Sequence, residues 1–250
     1  SAFDIASPTA TARNATYVGA AGTVVPLVSG GEYGTSIGVS NYISIPALEQ
    51  WSASRETSPF TFECWVLLTQ DNQNGVVLLQ PYSTQGAIPG NYISIEDSQV
   101  TFKVSNASNY WASDMFAVAK HDLLEPRMSH HYVFSYANNI LKIYVDSKLV
   151  DIVKVPFGAS WLFDTSEFRV FNRQSSPFII DAIAFYKGEL SEASIQRHYL
   201  TGRSTVGSQE IARRTKGHFF PIDDIDSKAT LDLDWPQGDK WPVAELSPNV

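Results

Sequence analysis

With 250 residues, of which 44 % are hydrophobic and 18 % charged, the chain has the composition of a folded globular protein rather than a disordered one. Its formal net charge of −8 would repel the phosphates of nucleic acid and of anionic lipid, so neither is an expected partner. No apolar run approaches the ~20 residues of a membrane-spanning helix, so membrane insertion is not expected.

The chain begins without the basic and apolar segments of a signal peptide. Its one cysteine, Cys64, excludes an intrachain disulfide and lies in an apolar run, where a buried, unreactive thiol is expected.

Short runs rich in β-branched and aromatic residues, separated by Gly, Pro, Asn and Ser clusters, predict an antiparallel sandwich. The runs predicted as strands are residues 60–66, 75–80, 92–96, 100–104, 131–136, 140–145, 149–153, 168–171 and 179–186. Tight turns are predicted at residues 97–99, at Asn138-Asn139 and at residues 146–148, because Asn and Asp tolerate the left-handed backbone of such turns.

One segment of the strand-rich region, residues 191–200, has the pattern of a short helix. Ser191 is placed to cap its N-terminus, Ile195, Tyr199 and Leu200 are expected to share one face, and Gly202 to end it.

Beyond Gly202 the composition changes from a basic segment to acidic ones, with few signals of regular structure. Residues 1–202 are therefore predicted as one domain, and residues 203–250 as a C-terminal extension, linker or further module. The aromatic residues of this C-terminal segment suggest that it packs against another surface, such as that of a partner chain.

Several motifs in order resemble the laminin-G-like members of the concanavalin A-like lectin/glucanase superfamily. They cover roughly residues 14–202 and include residues 14–19, 33–37, 42–46, 58–66, 130–133, 141–146 and 180–195. The resemblance implies an all-β fold, a two-sheet antiparallel jelly-roll β-sandwich. Ser129 stands where the family usually has Trp, and Ser147 where its central turn usually has Gly.

Modules of this kind also occur in bacteriophage tail and fibre proteins. By that analogy, we expect a virion or extracellular surface location and an oligomer.

Catalysis is not expected. Glucanases of the superfamily carry Glu-x-Asp-x-x-Glu on one strand, where alternate carboxylates share a face, and this chain has no such pattern. His130 and His131 are adjacent on a predicted strand and point to opposite faces, so packing and hydrogen bonding are the expected roles.

No cofactor is required, but calcium is a candidate because many relatives hold one at the rim of the sandwich. The oxygen ligands would come from loop residues, and the alternative is that these are solvated turn residues. The calcium candidates are Asp71, Asn72, Asn74 and Asp114.

Carbohydrate binding needs flat rings for the C–H faces of a sugar and polar groups for its hydroxyls. Aromatic-rich loops offer both, although the same rings could instead close the ends of the core. The candidate ligand-binding residues are Tyr82, Asn109, Tyr110, Trp111, Asp114 and Trp161.

The sequence therefore predicts a non-catalytic module that recognises a cell-surface glycan, within a phage tail or fibre. The alternative is an architectural or assembly domain that contacts neighbouring subunits and has no glycan ligand. A glycoside hydrolase of the same fold is the third hypothesis.

Overall fold

The computed structural model describes residues 15–19, 22–24, 27–28, 34–46, 59–70, 75–83, 86–87, 91–96, 99–106, 117–122, 128–156, 159–160, 167–173 and 177–214. The strands are β1 (Thr16–Val18), β2 (Gly22–Val24), β3 (Gly34–Ile37), β4 (Tyr42–Pro46), β5 (Phe60–Leu68), β6 (Val76–Ser83), β7 (Gly86–Ala87), β8 (Tyr92–Glu96), β9 (Gln99–Asn106), β10 (Ala117–Asp122), β11 (Ser129–Ala137), β12 (Ile140–Val145), β13 (Lys148–Lys154), β14 (Ala159–Ser160), β15 (Glu167–Asn172) and β16 (Phe178–Lys187).

In the described part of the chain, these strands form two antiparallel sheets. A nine-stranded sheet runs in the order β1-β4-β15-β6-β8-β9-β10, with β14 paired to β9 and β7 to β6. A seven-stranded sheet runs in the order β13-β12-β11-β5-β16-β3-β2. The predicted antiparallel jelly-roll β-sandwich is confirmed.

The core lies between the two sheets, because successive side chains of a strand point to opposite faces and one face of each sheet is apolar. On β5, Phe60, Phe62 and Cys64 are fully buried and belong to one hydrophobic core. Burial, with the charge of Glu63 adding to it, raises the pKa of the Cys64 thiol well above its ordinary value, which agrees with the expected unreactive cysteine.

Both turns around the central strand β12 have left-handed residues. Asn138 and Asn139 have φ of 51° and 61°, and Asp146 and Ser147 have φ of 51° and 68°. Asp146 also accepts a hydrogen bond of 2.9 Å from the backbone N–H of His131, which fixes the second turn to β11. These two predicted turns therefore form, although Ser147 occupies a position that favours glycine, and the turn predicted at residues 97–99 lies mostly outside the described residues.

The helix α1 (Glu192–Arg214) starts where the sequence predicts and is longer than predicted. Ser191 caps it, because its Oγ accepts from the backbone N–H of Ser194 at 3.1 Å. The prediction that Gly202 ends the helix is wrong, and so is the placing of Leu200 on its buried face, since Leu200 is 56 % exposed.

Gly202 has a packing role instead. A Cβ at this position would lie 2.6 Å from Cζ2 of Trp65 on β5, so the missing side chain allows α1 to approach the ring closely. The face toward the sheet therefore follows the spacing Ile195, His198, Tyr199 and Gly202.

The chain divides into two units, residues 1–202 and residues 203–250. Residues 215–250 lie outside the described residues, so the role of the C-terminal extension stays a prediction. Within the described part of the chain, no helix is long and apolar enough to cross a membrane.

Candidate functional site

Most of the predicted site residues lie outside the described residues. This holds for the ligand-binding candidates Asn109, Tyr110, Trp111, Asp114 and Trp161, and for the calcium candidates Asp71, Asn72 and Asn74. Tyr82 is described and lies on β6 of the nine-stranded sheet. Charged and aromatic side chains of the neighbouring strands surround its ring.

Tyr82 contacts an arginine that no sequence motif pointed to. The Cζ of Arg169 on β15 lies 4.2 Å from the centroid of the Tyr82 ring and 4.5 Å from that of Tyr42 on β4. β15 lies between β4 and β6, so the guanidinium is held between rings from both neighbouring strands. Each such cation–π contact contributes about 0.5–1 kcal/mol at an exposed site.

Strand alternation places these groups on the outer face of the sheet. On β15, Phe168 and Val170 are fully buried in the core, so Glu167, Arg169 and Phe171 face outward. We call Tyr42, Tyr82, Glu167, Arg169 and Phe171 the tyrosine–arginine face.

Glu167 fixes the orientation of Arg169. Its Oε1 accepts a short hydrogen bond from Nε of Arg169, and its Oε2 accepts from the hydroxyl of Ser44 at 3.1 Å. Burial alone would lower the pKa of Arg169, but the hydrogen bond and charge of Glu167 outweigh it, and the pKa lies above its ordinary value. The guanidinium is therefore a permanent cation in a fixed position.

Aromatic and cationic groups continue along this sheet. Phe171 meets Tyr82 edge-on at 6.0 Å between centroids, and the Cζ of Arg173 lies 5.6 Å from Phe171. Nζ of Lys103 lies 4.9 Å from the Tyr92 ring. The cation–π contacts of Arg169, Arg173 and Lys103 thus lie on or beside the nine-stranded sheet.

The tyrosine–arginine face has the chemistry of a binding surface. It combines half-buried rings with a fixed guanidinium, a carboxylate and a hydroxyl, which suits the mixed apolar and polar surface of a sugar. Among the described residues of β4, β6 and β15, Glu167 is the one carboxylate. These three strands therefore do not supply the two carboxylates that a glycosidase uses.

A second polar group lies on the seven-stranded sheet beneath α1. Glu63 of β5 accepts from the Tyr186 hydroxyl at 3.1 Å and is hydrogen-bonded to Nδ1 of His198 at 3.0 Å. The Nε2 of His131 lies 3.8 Å from the same carboxylate. Because these side chains join β5, β11, β16 and α1, we interpret them as a structural network that fastens the helix.

The two central histidines point to opposite faces, as predicted. His130 is hydrogen-bonded through Nδ1 to Asp146 at 2.8 Å. His131 stacks on Trp65 at 5.1 Å and on Tyr199 of α1 at 6.2 Å, and is 1 % exposed.

His131 and Asp146 titrate away from their ordinary values. Burial, with the charge of His198, lowers the pKa of His131 to about 4, and its Nδ1 has no hydrogen-bond partner among the described residues. Burial acts to raise the pKa of Asp146, but its hydrogen bonds to His130 and to the His131 backbone outweigh this and lower it. Within the described residues, no group of three or more metal-ligating side chains is placed to hold a metal ion.

Comparison with known proteins identifies the family. A laminin-G model of the "Concanavalin A-like lectin/glucanases superfamily" matches residues 37–196, which is more than half of the chain. The chain therefore belongs to this superfamily. No curated protein matches it by sequence.

Solved structures with the same fold include binding domains of botulinum neurotoxins. The serotype G binding domain aligns with a TM-score of 0.61 and 9 % identity, covering 77 % of this chain and 47 % of that one. A structure of botulinum neurotoxin type C, whose cell entry is described as dependent on interaction with two ganglioside molecules, aligns with a TM-score of 0.59 and 13 % identity. The alignment covers 76 % of this chain and 47 % of that one. The binding domain of neurotoxin DC in complex with SialylT aligns at 0.56 and 13 %, covering 76 % and 46 %.

The chain thus spans about half the length of these binding domains. At such low identity the likeness shows a shared fold.

Proposed function

We propose that this chain is a non-catalytic carbohydrate-recognition module whose ligand lies on the tyrosine–arginine face. The observation that carries the proposal is the guanidinium of Arg169, held between the rings of Tyr82 and Tyr42 on the outer face of the sheet. Flat rings beside fixed polar groups are the surface that a sugar needs.

The comparisons support the class of ligand. The superfamily's description includes lectins, and the titles of two structural relatives name gangliosides and SialylT as ligands of those proteins. Since this chain covers less than half of each relative, the position of the site is argued from its own residues.

The proposal is tested by binding to an array of isolated glycans and to bacterial cell walls. Tyr82→Ala is expected to weaken binding of the glycan by about tenfold. The variant loses a ring that contacts the sugar, and the same ring contacts the guanidinium of Arg169 and helps to hold it in place. Tyr82→Phe keeps the ring and is the matched control, with near wild-type binding expected.

A Tyr110→Ala/Trp111→Ala variant tests the rival position predicted in the loop at residues 109–114. Loss of binding in that variant with none in Tyr82→Ala would contradict the proposed site and move it to the loop. Running each sample with calcium and with a chelator tests the calcium proposal, which requires binding to fall in the chelator and return with added calcium.

A phage tail or fibre as the setting, with a virion or extracellular surface location, belongs to this proposal. It rests on the resemblance to tail modules, whereas the structural relatives named above are toxin binding domains. Detection of the chain in purified virions by mass spectrometry would support this setting, and its absence from them would contradict it.

A protein partner is the second candidate function, since one relative is titled as the binding domain of neurotoxin DC in complex with rat synaptotagmin II, with 11 % identity. For this chain, the architectural alternative places the partner contact in residues 203–250. Truncation at Gly202 should then abolish assembly and preserve glycan binding, and a truncated chain that still assembles would contradict that docking role.

A further inference from the structure

Arg169 keeps most of its hydrogen-bonding capacity. A guanidinium has five N–H donors, and Nε of Arg169 donates to Glu167. The remaining four, on Nη1 and Nη2, have no acceptor among the described residues. The side chain is 30 % exposed, so a ligand can reach it.

The arginine is also immobilised before any ligand arrives. The Cζ of Arg169 lies 4.5 Å from the centroid of the Tyr42 ring and 4.2 Å from that of the Tyr82 ring, and Glu167 accepts a hydrogen bond from its Nε. An arginine that is fixed in advance loses little conformational freedom when it binds. The pair of Nη groups matches the two oxygens of a planar carboxylate.

We propose that the tyrosine–arginine face selects carbohydrates that carry a carboxylate, and that Arg169 is the residue that makes this selection. The inference rests on the proposed function, since it names the ligand class of the same site. The sugar ring contacts the tyrosines, and its carboxylate accepts hydrogen bonds from Nη1 and Nη2 of Arg169.

The charge of the chain makes this selection a local property. With a net charge of −8, the protein repels anionic polymers at long range, so general attraction of acidic polysaccharides is not a competing explanation. Within the site, Glu167 offsets the positive charge of Arg169. A preference for carboxylated sugars would thus report direct contact with Arg169.

The test uses the full chain and matched pairs of oligosaccharides. An array carries sialyllactose, oligogalacturonate and hyaluronan oligosaccharides, each beside the same compound with its carboxylate reduced to a primary alcohol. At least one carboxylated form should bind the wild type about tenfold more tightly than its reduced partner, because charge-assisted bidentate hydrogen bonds are lost on reduction.

Arg169→Lys keeps the positive charge and loses the paired N–H donors of the guanidinium, so the preference for the carboxylated form should fall below about threefold. Arg173→Lys is the control, since Arg173 pairs with Glu96 at 2.9 Å, and it should keep the preference. Circular dichroism verifies that each variant is folded.

Equal binding of carboxylated and reduced forms by the wild type would overturn the inference and leave the proposed function standing. A preference that persists in Arg169→Lys would also overturn it. If no glycan binds, or if Tyr82→Ala binds like the wild type, the proposed function itself fails.

Discussion

Replacing Gly202 by alanine tests the packing of α1 on the sheet, because two effects of opposite sign compete there. In an exposed helix, Gly→Ala stabilises by about 1 kcal/mol through backbone conformational freedom. At Gly202 the new Cβ would lie 2.6 Å from Cζ2 and 2.9 Å from Cε2 of Trp65. Trp65 is 4 % exposed, and its ring stacks on both His131 and Tyr199, so it cannot move aside easily.

Overpacking of this kind costs up to about 3 kcal/mol. Subtracting the helix gain of about 1 kcal/mol predicts a net loss of about 2 kcal/mol in the free energy of unfolding for Gly202→Ala. Urea unfolding followed by far-ultraviolet circular dichroism measures it without depending on tryptophan fluorescence.

A double-mutant cycle isolates the contact. In a Trp65→Leu background the ring is gone, so Gly202→Ala should become stabilising by about 1 kcal/mol. A stabilising effect of Gly202→Ala in the wild-type background would refute the close approach of the helix to Trp65.

Two further predictions concern stability. The pKa of His131 is lowered from 6.5 to about 4 by burial, so between these pH values the unfolded chain binds a proton that the folded chain does not, and the free energy of unfolding falls as the pH falls. His131→Phe keeps the ring stack and should reduce the loss in the free energy of unfolding between pH 7 and pH 4 by about 3 kcal/mol. An equal loss in the wild type and the variant would contradict the claim that His131 is buried in its neutral form. Ser147→Gly should stabilise by about 0.5–1 kcal/mol in thermal or urea unfolding, since Ser147 has φ of 68°, and a loss of stability would show that its side chain is needed.

Local signals predicted much of the fold. The turn at Asn138-Asn139 and the helix cap at Ser191 both form as expected. Each depends on residues that are close to it in the sequence. Periodicity also placed most of the strands, because alternation of apolar residues directly reflects the core. The turn and the helix cap depend on contacts between neighbours in the sequence, and the strands left a local pattern of alternating apolar residues.

The tyrosine–arginine face depends on contacts between distant residues. Arg169 belongs to a predicted strand, but its ring partners come from β4 and β6, and sequence alone does not give the order β4-β15-β6. The alternation of side chains along the strand does place Arg169 on the outer face. An outward-facing arginine in a strand rich in aromatic residues was therefore the sequence signal that could have indicated this site.

The same limit explains the network beneath α1, where Glu63 and His198 are 135 residues apart. Gly202 shows the converse: locally it has the pattern of a helix end, and its contact with Trp65 overrides that pattern.

The central claim is that a carbohydrate binds on the outer face of the nine-stranded sheet. The most direct measurement is a titration of the tightest-binding array glycan into isotopically labelled protein, followed by the shifts of backbone amide resonances. The account predicts the largest shifts on β4, β6 and β15, around Tyr42, Tyr82 and Arg169. Shifts confined to residues 107–116 or the vicinity of Trp161, with those three strands unperturbed, would contradict it.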